Sequence, residues 1–341
     1  MNKPYFFRDA KLSKRLRGAA WFFGLSAGVV AMFCLVSGPA ITSGTALTRG
    51  DDDDKAGACT RTARVAFTAC QHEAEDNYWI AIGKCHNLSD PDARAECKQE
   101  ARVERRSKLN ECGVHRQLRL QLCAALGEAP YDPQIDPAMF VDPNQIGMTV
   151  APNPYFLLIP GRTMVYREGA EEIRVTVTRD TRVIAGVTTR VVHDVVKNNG
   201  EVIEDTTDWY AQDIYGNVWY FGEIAQKIED GILVSIDGSW TTGVNRDKPG
   251  FAMKRFPTVG ETYRQEFSLN NAEDAAQVLT LTGSATVPAA SCNGNCLITR
   301  EFSPIIPSLL EDKYFAPGVG FILETKPGTT DRLELVQIIQ N

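Results

Sequence analysis

The sequence predicts an α+β protein in which an N-terminal, disulfide-stapled antiparallel helical hairpin precedes a curved antiparallel β-meander or barrel-like domain. Three observations carry this expectation. The cysteines from Cys59 to Cys123 are spaced as a palindrome, and a proline-rich stretch follows them. Beyond that stretch the hydrophobic pattern changes to short alternating runs punctuated by glycine turns. A chain of 341 residues is long enough for two such cores. With 43% hydrophobic and 23% charged residues, it has the composition of an ordinary globular protein. A net charge of -7 without a basic stripe argues against nucleic acid as a partner, because phosphates require cationic neutralisation.

Residues 1–46 read as a targeting segment. Arg8, Lys11, Lys14, Arg15 and Arg17 precede an apolar run over 19–41, and Gly44-Thr45-Ala46 supplies small residues for cleavage after Ala46. A run of this length also suits an uncleaved, single N-terminal membrane anchor. Either reading exports the rest of the chain to a periplasmic, cell-surface or extracellular location. Cys34 follows Met32 and Phe33 rather than small residues, so it reads as a buried apolar side chain instead of a lipid acceptor. The acidic linker, 47–57, holds Asp51 to Asp54 and Lys55, a string that resembles an enteropeptidase site by chance. Its carboxylates repel one another and stay solvated. They do not alternate along a shaped loop as Ca²⁺ ligands do.

The hairpin, 58–127, is read from its cysteines. Cys59, Cys70, Cys85, Cys97, Cys112 and Cys123 are separated by 11, 15, 12, 15 and 11 residues, symmetric about Pro91. Facing positions of two antiparallel helices keep a constant sum of residue numbers, because both helices rise equally per residue. Three rungs follow: Cys59–Cys123, Cys70–Cys112 and Cys85–Cys97. Intervals of 11 and 15 also keep each helix's cysteines on one stripe. Asp90 is placed to cap a second helix starting at Pro91, after a short Asn87-Leu88-Ser89 connection. Gly113 predicts a break in that helix. Cys-x-x-Cys and Cys-x-x-Cys-His are absent from the sequence, so the cysteines read as structural rather than as metal, haem or redox ligands. Tyr78, Trp79, Ile80 and Ile82 are the apolar residues available either to a partner or to the second helix.

The connector, 128–155, opens a stretch from Pro130 to Pro160 with seven prolines. These favour extended and turn conformations, and Ile135, Met139 and Phe140 can dock the connector on either domain. The β domain, 156–341, has turns expected at Ala185-Gly186, Asn199-Gly200, Tyr215-Gly216, Asp230-Gly231 and Asp237-Gly238. A helical turn is expected only around Ala272 to Gln277. Cys292-Asn293-Gly294-Asn295-Cys296 reads as a disulfide-closed loop at a hairpin tip between Thr286-Val287 and Leu297-Ile298-Thr299.

The densest stretch, Asp208 to Glu223, reads as a hairpin with aromatics on both faces. Its ligand-binding candidates are Asp208, Trp209, Tyr210, Gln212, Trp219, Phe221 and Glu223, which could instead be structural. This stretch, with Gly260-Glu261-Thr262-Tyr263-Arg264-Gln265-Glu266, Lys313-Tyr314-Phe315-Ala316-Pro317-Gly318-Val319-Gly320 and Arg332-Leu333-Glu334-Leu335-Val336, resembles an uncharacterised family of exported bacterial proteins. The resemblance covers most of Phe156 to Ile339 and implies domain limits but no activity.

Three of the four histidines, His72, His86 and His115, fall in the hairpin, and His193 falls in a strand where a structural role is commoner. Neither catalytic residues, a metal site nor a cofactor is expected. The function expected is non-catalytic binding of a small ligand or a cell-envelope partner. The alternatives are an envelope scaffold and a hydrolase using the strand-borne carboxylates Asp208, Asp213 or Glu223.

Overall fold

The computed structural model describes residues 56–340. The targeting segment, Cys34 and the acidic run lie outside the described residues. Among the described residues, no helix is long and apolar enough to cross a membrane. They divide into two compact units that meet between Tyr131 and Asp132.

The first unit is a hairpin of α1 (Ala58–His86) and α2 (Pro91–Leu126). The three rungs form as the spacing requires, with Cα–Cα separations of 5.6 Å for Cys59–Cys123, 5.7 Å for Cys70–Cys112 and 5.6 Å for Cys85–Cys97. Asp90 accepts a hydrogen bond from the Ala93 amide at 2.7 Å, which fixes the start of α2. Helix α2 runs unbroken through Gly113, against the expected break. The glycine costs about 1 kcal/mol relative to alanine, less than the roughly 2 to 4 kcal/mol that an adjacent bridge at Cys112 contributes. Besides cysteines, the buried apolar positions are Ala63, Ala66, Ala74, Ala101 and Leu122. Mostly alanines, these bury little apolar area, so cross-links supply what a larger core would. Gly57 has no side chain with which to cap α1. Glu128, just beyond α2, takes over by accepting from the Thr60 amide at 2.9 Å and the Thr60 hydroxyl at 2.6 Å.

The second unit is an antiparallel sheet of 15 strands. Its first half comprises β1 (Arg162–Glu168), β2 (Glu171–Ile184), β3 (Val187–Asn198), β4 (Glu201–Gln212) and β5 (Val218–Glu229). Three shorter strands follow, β6 (Ile232–Ser235), β7 (Trp240–Thr241) and β8 (Lys248–Met253). Next come β9 (Thr262–Arg264) and β10 (Glu266–Phe267), separated by Gln265 alone. The second half comprises β11 (Ala275–Val287), β12 (Ala290–Ser303), β13 (Ile306–Ala316), β14 (Gly320–Thr325) and β15 (Arg332–Gln340). The hydrogen-bonded path runs β10-β8-β5-β4-β3-β2-β1-β15-β14-β13-β12-β11-β9, and β6 and β7 add to β5. This path does not close. One face contributes a single hydrophobic cluster that includes Tyr166, Ile173, Val192, Tyr210, Tyr220, Leu297, Phe321 and Leu335.

The hairpin turns fall where expected. Ala185-Gly186, Asn199-Gly200 and Asp230-Gly231 each place two residues at positive φ, the geometry that matches strand twist in a two-residue loop. Residues 272–277 are not helical: Ser268 bridges Ala272, and β11 begins at Ala275. The Cys292–Cys296 bridge forms inside β12 rather than at the tip, which is the Pro288-Ala289 turn between paired Val287 and Ala290. The ladder is irregular between Gly283 and Ala285 on the facing strand, where the short covalent loop displaces the register.

The connector belongs to this second unit from Asp132 onward. Asp136 and Asp142 cap short 3₁₀ turns at Pro137–Met139 and Pro143–Gln145 through the Ala138 and Asn144 amides. Buried Arg190 reaches the Asn144 side chain at 2.9 Å and ties the second turn to β3.

Two stability tests follow. Ala185 is an exposed, non-glycine residue at φ 49°, so Ala185→Asn should raise the unfolding free energy by about 0.5 to 1 kcal/mol, measured by urea denaturation. Replacing Cys70 and Cys112 together by serine should cost roughly 2 to 4 kcal/mol, read in the melting of the helical signal near 222 nm.

Candidate functional site

Strands β4 and β5 divide the seven sequence candidates between two faces. A register shift between Trp209 and Tyr210 creates the division: Trp209 pairs with Gly222 and Tyr210 with Tyr220, so Phe221 is the extra residue. Gly222 has φ 128°, and a Cβ there would lie 2.3 Å from the Trp240 carbonyl oxygen. Only glycine lets β7 approach β5 this closely.

On one face, Trp209 and Phe221 are buried with Ile184, Val187 and Ala211, and Trp219 is partly buried against them. The connector covers this cluster. Phe140 contacts Phe221 with ring centroids 5.5 Å apart and Trp219 at 6.2 Å, and Ile135 packs beside it. The Arg182 guanidinium lies 4.1 Å from the Trp209 ring centroid. Gln212 is buried and ties the connector from the adjoining end, accepting from the Asn153 amide at 2.9 Å and donating to the Ala151 carbonyl at 2.9 Å. Trp209, Gln212, Trp219 and Phe221 are therefore occupied in holding the connector.

The other face carries Asp208, Tyr210 and Glu223. Asp208 and Glu223 are direct cross-strand partners, and Asp208 accepts from the Tyr220 hydroxyl at 2.7 Å. Tyr210 stacks on Tyr220 with centroids 4.7 Å apart. Burial pushes the Asp208 carboxyl well above its ordinary range, while the Tyr220 and Tyr210 hydroxyls work against the shift. Asp213, the third carboxylate of the hydrolase alternative, accepts from the Tyr215 and Asn217 amides, the Asn217 side chain and the Trp219 indole at 2.8–3.0 Å. It is a turn-forming residue.

Buried acids continue across the sheet. Glu266 accepts from the Trp240 indole at 2.8 Å, and burial followed by the charge of Asp274 raises its pKa. Asp274 is lifted by burial to about 7, with the nearby Ser303 hydroxyl opposing the rise. Beyond it, Glu301 faces Glu311 across β12 and β13, and Lys313 faces Glu324 across β13 and β14. The Lys313 Nζ lies 2.7 Å from Glu301 and 4.0 Å from Glu324. Burial works against its charge, but Glu301, Glu324 and Glu311 outweigh burial and raise its pKa. Glu311 is lifted by burial to about 7, with the charges of Lys313 and Lys326 opposing the rise and Glu301 adding to it. His193, outside this line, pairs with Asp205 at 2.7 Å.

Glu223 is the one sequence candidate that lines an open cleft of about 530 Å³. Beside it in the wall are Ser239, Trp240 and Thr241 from β7 and its approach, Asp247, and Ser268. Asn245 and Asn271 add amides, and Ile224, Val244 and Leu269 form an exposed aliphatic rim. None of the lining residues is Lys, Arg or His. Burial raises the Asp247 carboxyl, and its hydrogen bond with Ser268 opposes the rise. The Asn271 side chain joins the two sides, donating to the Ser239 carbonyl at 3.1 Å and the Ser268 hydroxyl at 3.3 Å. Sequence reasoning missed every lining residue except Glu223. The available signal was the turn-rich Asp237-Gly238-Ser239-Trp240-Thr241-Thr242-Gly243 string, whose tryptophan has no alternating neighbours to pack with.

Among the described residues, no group of three or more His, Cys, Asp or Glu side chains is arranged to hold a metal ion. Comparisons with family models, curated proteins and solved structures found no match.

The raised carboxyls set a pH dependence. Folded Asp274 and Glu311 keep protons up to about pH 7, whereas the unfolded chain releases them near 3.8 and 4.5. The folded state then binds more protons in that window, so these two carboxyls make the unfolding free energy fall as pH rises from about 4 to 7. Urea midpoints measured across this range should show the fall, and Glu311→Gln should reduce it and stabilise the protein at pH 8. Gly222→Ala should destabilise by more than about 1 kcal/mol in the same assay, because φ 128° is strained for alanine and its Cβ meets β7.

Proposed function

We propose that this is an exported, non-catalytic binding protein whose β domain takes a small polar ligand in the cleft over Glu223. The observation that carries the reading is that cleft: about 530 Å³, with a buried carboxylate, hydroxyls, amides and an indole converging under an aliphatic rim. A few convergent polar groups in a concavity of this size is the usual form of a small-molecule site. In this reading the sheet wraps around its interior as a barrel-like body, with the corner at Gln265 between β9 and β10. Cleavage after Ala46 or retention of 19–41 as an anchor would deliver the protein to the periplasm, cell surface or exterior. Four disulfides among the described residues fit an oxidising compartment. Membership in the exported bacterial family suggested by the β-domain strings accords with that location.

The hydrolase alternative loses support because Asp213 is consumed by its turn and Asp208 does not line the cleft. The scaffold alternative keeps one specific observation, the outer side of the helical hairpin. There Trp79 is 64% exposed and Ile80 49%, while half-buried Tyr78 sits under Arg105 of α2. An envelope partner could dock on those two side chains.

A ligand panel of amines, amino acids, polyols and sugars, read by native mass spectrometry and thermal shift, tests the binding reading. At least one class should bind saturably, and Leu269→Trp, which crowds the rim, should weaken it by about tenfold. Failure of the whole panel to bind would reject the cleft as a ligand site and favour the scaffold.

A further inference from the structure

We infer that the cleft selects small organic cations, specifically a primary ammonium group on a short aliphatic chain, with the Glu223 carboxylate as counter-ion and the rim covering the methylenes. This rests on the ligand-binding reading above and narrows it to a chemical class. Two properties of the cleft point the same way. Its ionisable lining side chains, Glu223 and Asp247, are both acids. Its lining also holds no Lys, Arg or His that could pair with an anion. Lys248, adjacent in sequence to Asp247, is held by Asp132 on the connector. An anionic ligand would therefore find no counter-ion in the cleft, whereas an ammonium finds acceptors and favours the ionised form of the Glu223 and Asp247 carboxyls.

The rest of the lining matches an alkylammonium in detail. The Thr241 hydroxyl, with the remaining lone pairs of the Ser239 and Ser268 hydroxyls that already accept from the Ala225 amide and the Asn271 side chain, supplies acceptors for the ammonium N–H groups that Glu223 leaves unfilled. Ile224, Val244 and Leu269 are 39%, 53% and 41% exposed, so a chain of methylenes laid across them removes apolar surface from water. A hydroxyl in place of the ammonium would make weaker, uncharged hydrogen bonds to the same carboxylate.

The test compares 1,5-diaminopentane with its neutral isostere 1,5-pentanediol on the full chain with disulfides intact, by isothermal titration and native mass spectrometry. The diamine should bind at least about tenfold more tightly, and the preference should shrink as salt is raised. Glu223→Gln should reduce diamine affinity by about tenfold or more and pentanediol affinity by a much smaller factor. Asp247→Asn, in the same wall and less deeply buried, should lower diamine affinity by a smaller factor and serves if Glu223→Gln fails to fold. Equal binding of diamine and diol, or undiminished diamine binding in a folded Glu223→Gln protein, would overturn the cation assignment. Binding of sugars or polyols but not amines would overturn it as well, while leaving the ligand-binding reading intact. Failure of every ligand class would reject both.

Discussion

Carboxyl groups that point into the sheet must be neutralised by protons, hydroxyls or Lys313, and this requirement organises the β domain. Asp208, Glu266, Asp274, Glu301, Glu311 and Glu324 are all at most 4% exposed. An isolated ionised carboxylate in such surroundings costs several kcal/mol, so each has a specific remedy. Tyr220 donates to Asp208, the Trp240 indole donates to Glu266, Ser303 attends Asp274, and Lys313 lies against Glu301. Where these run out, the remedy is protonation, as at Glu311, whose carboxyl burial lifts to about 7. The partners come from different strands, so pairing the charges also fixes which strands lie together. A register slip of one residue would turn these acids outward and the outer aromatics inward.

The β4–β5 hairpin illustrates how that constraint is met locally. With Phe221 as the extra residue, Trp209 and Phe221 share one face while Asp208, Tyr210 and Tyr220 share the other. Gly222 then admits the β7 backbone, which brings Trp240 within reach of Glu266. One glycine thereby serves the hydrogen bond that satisfies a buried acid and the wall of the cleft. On the opposite face the connector is needed because Trp209, Phe221 and Ala211 would otherwise form an exposed apolar patch. Its prolines keep it extended enough to run along that face without helix, and Asp136 and Asp142 supply the caps that fix its turns.

The helical hairpin was almost wholly legible because helical geometry converts residue spacing directly into position, and six cysteines at mirrored intervals admit one ladder of rungs. Gly113 misled because local propensity carries no knowledge of the adjacent bridge. In the β domain, Asn199-Gly200 and Asp230-Gly231 announced their turns by chemistry, since both residues must take positive φ. The inward acids were not legible. Glu311, Asp312 and Lys313 are three successive charged residues, and alternation gives their faces without saying which face is interior; Glu311 and Lys313 proved to be inside while Asp312 pairs with Arg300 nearer the surface. The cleft was legible only through Glu223. Its other walls come from residues 239–247 and 268–271, brought to β5 by pairings that no local pattern encodes.

Burial alone does not identify a binding residue in such a protein, because nearly every acid of the sheet interior is buried for structural reasons. The useful distinction is where each carboxyl's surroundings lead. Asp213 is enclosed by four donors from its own turn, which leaves no direction for a ligand. Asp208 and Glu266 accept from a phenol and an indole that themselves belong to the packed core. Glu223 is equally buried yet borders open space, and the residues across that space are hydroxyls and amides rather than core side chains. An acid in that position influences whatever enters the cleft, whereas its neighbours influence one another. The same strand pair thus supplies structural carboxyls along its length and, where β7 folds over its edge, the carboxyl proposed above as the recognition group.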